Sequence, residues 1–215
     1  ITYTNGAQRQ SSLGYVNVPS AQVTGATLTV QTGTITLSKQ TTYGNQNVVV
    51  PKTNTKLGAF VLTGNNIEDT TINSFEVAFT PVTNATFSSA DLNDVYLVYA
   101  GKNSTVKSTV NATGNTWSIS ETLAKSGNMT IEVWGNVGST ITALDSIKTE
   151  LLVSGTTVGS SQTVTTNGGA VLSGQTIIAT TGSVASSLDA TTPVSKVVVG
   201  NSAQDLAAFR FTTTN

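Results

Sequence analysis

The sequence contains no cysteine and no histidine. Without cysteine no disulfide can staple the chain, so burial of apolar surface has to hold whatever fold it adopts. At 215 residues, 38% of them hydrophobic, the chain is long enough to build a core on that basis. Missing both residues also removes the Ser-His-Asp and Cys-His arrangements of nucleophilic catalysis and the two preferred ligands of ordinary zinc sites. Charge is scarce as well. Only 10% of residues are charged, ten bases stand against eleven acids, and neither sign forms a run. A nucleic-acid face needs clustered lysine and arginine for its phosphate contacts, and a peripheral membrane surface needs a basic patch. Apolar runs last only a few residues, too short for a membrane-spanning helix. The expected partners therefore exclude nucleic acid and membrane insertion. The first residue is Ile1, with no initiating methionine and no signal peptide, which reads as a processed chain or a segment of a longer one.

What is abundant is threonine, serine, valine, glycine and asparagine. Residues branched at Cβ fit strands, and the turn formers punctuate them, so the composition predicts an all-β protein. Period-2 patterns agree. In SFEVAF, Phe75, Val77 and Phe79 share one face; in MTIEVW, Met129, Ile131 and Val133 do. LGAFVL (57–62) and VYLVYA (95–100) are apolar on both faces and read as central strands. Shorter strands are expected at 27–30, 34–38, 47–50, 106–110, 116–120 and 149–153, separated by turn signals at 63–66, 100–103, 112–115 and 166–169. ITALDSIKTELL (141–152) has helical spacing at Leu144, Ile147 and Leu151 but is read as loop then strand. SSADLNDV could open a short helical turn capped by Ser88 or Ser89. Nine or ten strands in about 150 residues imply an antiparallel β-sandwich.

The chain also repeats itself. Displaced by 149 positions, residues 1–66 align with 150–215 without a gap, at 18 identities in 66 positions. NVVVPKTNTKLGAFVLT (47–63) returns as KVVVGNSAQDLAAFRFT (196–212), and TGATLTVQTGTI from Thr24 returns as SGQTIIATTGSV from Ser173. Apolar positions pair conservatively: Leu28 with Ile177, Ile35 with Val184, Leu62 with Phe211. A tandem repeat with this offset as its period follows. It divides the chain into a terminal strand of one unit (1–22), a complete domain (23–172), and the first strands of another (173–215). A unit of this length is a whole domain, so the repeats would follow one another as beads.

Candidate chemistry is thin. Two acidic pairs exist, Glu68 with Asp69 and Asp91 with Asp94. A glycosidase needs two carboxyls facing each other across a cleft, and sequence cannot bring these pairs together. Calcium, bound by six to eight oxygens, is the more natural use of Glu68, Asp69, Asp91 and Asp94 with neighbouring asparagines, although neither stretch has EF-hand spacing. No cofactor is required by anything in the sequence, and no enzyme activity is expected. Four glycosylation sequons begin at Asn84, Asn103, Asn111 and Asn128, about as many as this composition yields by chance. Lys39, Lys56 and Lys148 could in principle form isopeptide crosslinks; ordinary lysines at strand edges discourage wrong sheet pairing instead.

The order of motifs carries a resemblance. A VVV…LGAFVLT strand (48–63) is followed by Glu68-Asp69, then DLNDVYLVY (91–99) and a Gly/Asn turn, then Thr116-Trp117, then MTIEVW (129–134). This resembles the Ig-like repeats of very large prokaryotic surface proteins of the S-layer and adhesin kind, over roughly residues 24–165 and again from 173 to 212. The resemblance implies an Ig-like β-sandwich, extracellular exposure at the cell surface of a prokaryote, a scaffold role, and no catalytic residues.

These observations together predict a structural protein, a subunit or segment of a surface layer, sheath or filament. It would associate with itself into a homopolymer or lattice through strand edges. Ile1 and Tyr3 at one end, and Val197, Val198, Val199, Phe209 and Phe211 at the other, are the candidate assembly residues. The alternative is an adhesin or carbohydrate-binding module, for which Trp117, Trp134 and Tyr43 are the candidate stacking residues. Trp134 falls opposite the buried face of its strand, which would expose it, but a sandwich with two covered faces would bury it, and burial is the expectation.

Overall fold

In the computed structural model, the described residues are 3–18, 21–29, 31, 33–83, 91–141, 145–192, 200 and 207–214. Contacts divide the chain into two compact units, Ile1–Thr32 and Gly33–Asn215. The first contains one antiparallel hairpin, β1 (Tyr3–Gln8) with β2 (Tyr15–Val18). Residues 21–29 follow outside any strand, with exposed side chains.

The second unit begins with β3 (Thr36–Lys39), β4 (Gln46–Val49), β5 (Lys52–Thr63), β6 (Thr70–Thr83) and β7 (Leu92–Tyr99). Then come β8 (Lys102–Asn103), β9 (Lys107–Thr109), β10 (Asn115–Leu123), β11 (Asn128–Val137) and β12 (Ser146–Thr157). Last are β13 (Thr163–Thr165), β14 (Leu172–Thr180), β15 (Ser183–Leu188) and β16 (Phe209–Thr214). The described residues include a single short 3-10 turn, Thr166–Gly169. The protein is therefore all-β.

Two six-stranded sheets enclose one core. The first runs β10-β6-β12-β14-β4, with β13 also on β12; the second runs β3-β5-β11-β7-β8, with β9 also on β7. Phe75, Val77, Leu151 and Val153 from the first meet Leu57, Phe60, Leu97, Ile131 and Val133 from the second in one buried cluster. Alternation produces this division. On β11, Met129, Ile131, Val133 and Val137 are buried while Thr130 faces out and Glu132 and Trp134 are half-buried. The stretch with helical spacing is strand from Ser146 onward: Ile147, Thr149, Leu151 and Val153 point inward at period 2. Twelve register pairs with β6 outweigh its helical hydrophobic spacing. Residues 88 and 89, the suggested helical cap, lie outside the described residues.

One departure from the expected antiparallel arrangement is the pair β4–β14, which is parallel, from Ile177↔Gln46 to Thr180↔Val49. The reason is connectivity. β3 belongs to one sheet and β4 to the other, so the chain crosses between sheets and β4 arrives at the edge running alongside β14. β14 starts at Leu172, across the expected boundary between residues 172 and 173, and is hydrogen-bonded on both flanks within the sheet. Turns carry the expected chemistry. Ala100 and Gly101 both take positive φ in the two-residue β7–β8 hairpin, the mirror-image turn geometry that matches strand twist.

β15 and β16 form a separate hairpin. Its pairs Ala185↔Thr212, Ser186↔Phe211, Ser187↔Arg210 and Leu188↔Phe209 are the β3–β5 pairs Thr36↔Thr63, Leu37↔Leu62, Ser38↔Val61 and Lys39↔Phe60, moved by 149 on both strands. The expected strand at 27–30 does not form over 27–29. A strand needs a neighbour for its main-chain groups, and these residues join no sheet.

Candidate functional site

The acidic pairs lie at opposite ends of the second sheet. Thr63, just before the loop that carries Glu68 and Asp69, pairs with Asn128 at the start of β11, whereas Leu92, beside Asp91 and Asp94, pairs with Val137 at its end. Ten residues of strand separate them by roughly 30 Å. Each carboxylate already has a hydrogen-bond partner. Glu68 accepts from the Gly159 and Ser160 amides and from the Ser160 hydroxyl, clasping the β12–β13 turn. The Ser160 hydroxyl bond, with those amides, holds its carboxyl below the ordinary value although desolvation acts the other way. Asp69 Oδ1 accepts from the Lys125 amide at 2.9 Å. Asp91 Oδ1 accepts from the Thr140 hydroxyl at 2.6 Å, and Asp94 Oδ2 from the Asn136 amide group at 2.9 Å. Among the described residues no three Asp or Glu side chains cluster as a metal site would require. Of the sequons, Asn103, Asn111 and Asn128 are exposed. Asn128 accepts a hydrogen bond from Thr63, and Asn84 lies outside the described residues.

The stacking candidates separate. Trp117 is buried, with its Nε1 donating to the Thr105 carbonyl at 2.8 Å. Trp134 is not buried under a second layer, as two covered faces would require. It is half-exposed on the outer face of β11, because the second sheet has only its inner face against the core. There Lys56 Nζ lies 5.0 Å from the Tyr43 ring centre and 5.3 Å from that of Trp134, a cation–π sandwich. Glu132 pairs with Lys56 and accepts from Trp134 Nε1 at 2.9 Å. Burial alone would raise the Glu132 carboxyl, but the Lys56 and Trp134 bonds outweigh it and hold it below its ordinary value. Burial and the Glu132 charge push the Tyr43 phenol up to about 12. An open groove of about 330 Å³ runs past Tyr43, Lys56 and Trp134. Lys56 is thus committed to an ion pair rather than to an isopeptide bond, and Lys148 lies 3.4 Å from Glu150.

The most constrained polar feature was missed by the sequence reading. Gln175 on β14 is fully buried, and its side-chain amide acts as a peptide group across the core. Oε1 accepts from the Ala59 amide at 2.8 Å, and Nε2 donates toward the carbonyls of Ala59 (3.1 Å), Gln40 (3.2 Å) and Tyr43 (2.8 Å). This joins β14 of the first sheet to β5 and the β3–β4 crossing of the second. Beside it, a Cβ on Gly174 would come within 2.5 Å of Phe60 Cζ, so only glycine fits. The available signal was a glutamine on the inward parity of SGQTIIAT, in line with Ile177 and Ala179.

The candidate assembly residues divide as follows. Ile1, Val197, Val198 and Val199 lie outside the described residues. Tyr3 opens β1, paired with Val18. Phe209 and Phe211 project from β16 with 62% and 71% exposure, sharing a face with Leu188 and Val184, also exposed. Their counterparts in the earlier copy of the pattern, Phe60 and Leu62, are completely buried. Among the described residues no helix is long and apolar enough to cross a membrane. Compared with known proteins, the chain matches no family model and no curated sequence.

Proposed function

We propose that this chain is part of an extracellular structural protein, a subunit or segment of a cell-surface layer, sheath or filament built from tandem Ig-like β-sandwich units. One observation carries the reading. The β15–β16 hairpin reproduces the β3–β5 register at an offset of 149, yet the face that is core in β3–β5 is bare in β15–β16. Phe209, Phe211, Val184 and Leu188 form an apolar face of the kind that association covers. The hairpin repeats the pairing of the sandwich's own β3 and β5, and contact with another unit of this kind would cover its bare face. The experiment is sedimentation velocity with electron microscopy on the full chain and on Phe209→Ser/Phe211→Ser. The expected result is concentration-dependent assembly by the parent and its loss in the variant, with unfolding of the main unit unchanged. A strictly monomeric parent, or a variant that assembles equally well, refutes the reading.

A second reading, a carbohydrate-binding module of a surface protein, is favoured by the groove beside Tyr43, Lys56 and Trp134. Glycan-array binding abolished by Trp134→Ala supports it; no binding by the parent chain removes it.

A further inference from the structure

We infer that the segment Thr24–Thr29 is a donor strand, which completes the first sheet of another β-unit of the same kind by entering the place that β14 holds here. The inference rests on the repeat proposed above and names the element through which units join.

β14 shows what that place demands. It lies between β12 and β4, so it is hydrogen-bonded on both sides. Gly174 must be glycine because Phe60 and the Thr149 carbonyl press against it. Ile177 is 6% exposed, pairs with Ile147 and fills the core. Ser173 donates to Glu150 at 2.7 Å.

Thr24–Thr29 meets these demands at an offset of 149. Gly25 stands for Gly174, Leu28 for Ile177, and Thr24 supplies a hydroxyl for that of Ser173. Thr27 and Thr176 are identical. None of these features serves its own surroundings. Gly25 has no atom within 4 Å of where its Cβ would stand and no positive φ, so nothing local requires glycine. Leu28 is 88% exposed, the largest exposure among the exposed large hydrophobic residues described. The segment joins no strand, yet carries a strand's threonine-rich composition.

The hairpin before it fits as well. β1–β2 pairs Tyr3 with Val18, and adding 149 gives 152 with 167, which extends the β12–β13 register of Ser154↔Thr165 by two residues. A bulge between Tyr3 and Ala7 then shifts the rest of that hairpin. Chain order is thus hairpin then donor segment in both places. Two positions differ in kind: Thr29 stands where Ile178 does, on the half-buried side of β14, and Ala26 where Gln175 does. The receiving unit would therefore satisfy the main-chain groups bonded here by Gln175 in another way.

The test uses the full chain with single cysteines, which are unambiguous because the parent has none. Maleimide labelling of Leu28→Cys and Ile177→Cys is followed in dilute chain and in assembled material. The expected outcome is Leu28→Cys labelling about ten-fold or more slower once assembled, and Ile177→Cys slow in both states. Leu28→Cys equally reactive in both overturns the inference while leaving assembly itself intact. Strand competence is tested separately by grafting. Residues 173–180 are replaced by TGQTLTVQ, the register of 24–31 with Gln175 kept, or by VTQATLTV, the same stretch moved by one residue with Gln175 kept. The first should retain a cooperative unfolding midpoint and the second, with threonine in place of Gly174, should lose it. Equal behaviour of the two grafts overturns the inference. A working first graft in a chain that never assembles leaves the donor strand standing and sinks the assembly reading.

Discussion

Replacing Gln175 by alanine should do more damage than any surface substitution, and the size of the effect can be worked from its partners. The side chain is fully buried and bonded to the Ala59 amide and to three carbonyls. Truncation strands the Ala59 N–H away from water, at about 1–3 kcal/mol, and removes further bonds worth about 0.5–1.5 kcal/mol each. The space vacated adds about 1 kcal/mol, since a packed core collapses only partly around a lost side chain. Nε2 has two N–H groups, so counting two bonds at about 1 kcal/mol each and the lower end for the stranded N–H gives a loss of about 4 kcal/mol. With a urea dependence of about 2 kcal/mol per molar, the unfolding midpoint should fall by about 2 M at unchanged slope. Amide exchange read at Ala59 should accelerate most, because that N–H alone loses its only partner. Gln175→Glu should be no better at neutral pH. A carboxylate can still accept from Ala59, but it offers no N–H to the carbonyls of Gln40, Tyr43 and Ala59. A midpoint shift below about 0.5 M, or an Ala59 amide as protected as in the parent, would refute the claim that this amide locks the two sheets together.

Two further outcomes follow from the same neighbourhood. Gly174→Ala should cost about 1–3 kcal/mol by urea titration, because the new Cβ would meet the Phe60 ring and the Thr149 carbonyl, and overpacked cores distort; an unchanged midpoint would mean that β14 has room to move. Stability should also fall with acid. Burial would raise the Glu150 carboxyl, but hydrogen bonds from Ser173 and Thr80 and the charge of Lys148 outweigh it, so its folded value lies below the ordinary 4.5. The unfolded chain binds the proton first as pH drops, so this stability is complete above 4.5 and is lost as pH falls through the lowered folded value. Urea midpoints measured from pH 6 to pH 3 should decline less in Glu150→Gln than in the parent; parallel curves would contradict it.

How much was legible beforehand depended on the range of the physics involved. The strands at Asn128–Val137 and Lys52–Thr63 were readable because alternation is local: period 2 places Ile131 and Val133 on one face wherever the strand goes. Segment 141–152 was ambiguous because Leu144, Ile147 and Leu151 fit a helix as well as alternate positions fit a strand; pairing with β6 decided it. The acidic pairs looked alike in sequence, but the length of β11 stands between them. Trp134 could be placed on the outer face by parity, whereas its half-exposed state, beside Lys56, depended on the absence of a further strand over it among the described residues.

The sequence alone determined an all-β chain without disulfides, with strands bounded by glycine and asparagine turns, and a stretch toward its other end that resembles its opening at an offset of 149. These are properties of composition, periodicity and spacing, and they survive without knowing what touches what. Only the tertiary structure decided that β4 runs parallel to β14, that Gln175 bridges the sheets, and that one copy of a recurring pattern is buried while the other lies bare. Burial and hydrogen-bond satisfaction belong to neighbours brought from far along the chain, so two related stretches, TGATLT at 24–29 and SGQTII at 173–178, have opposite environments.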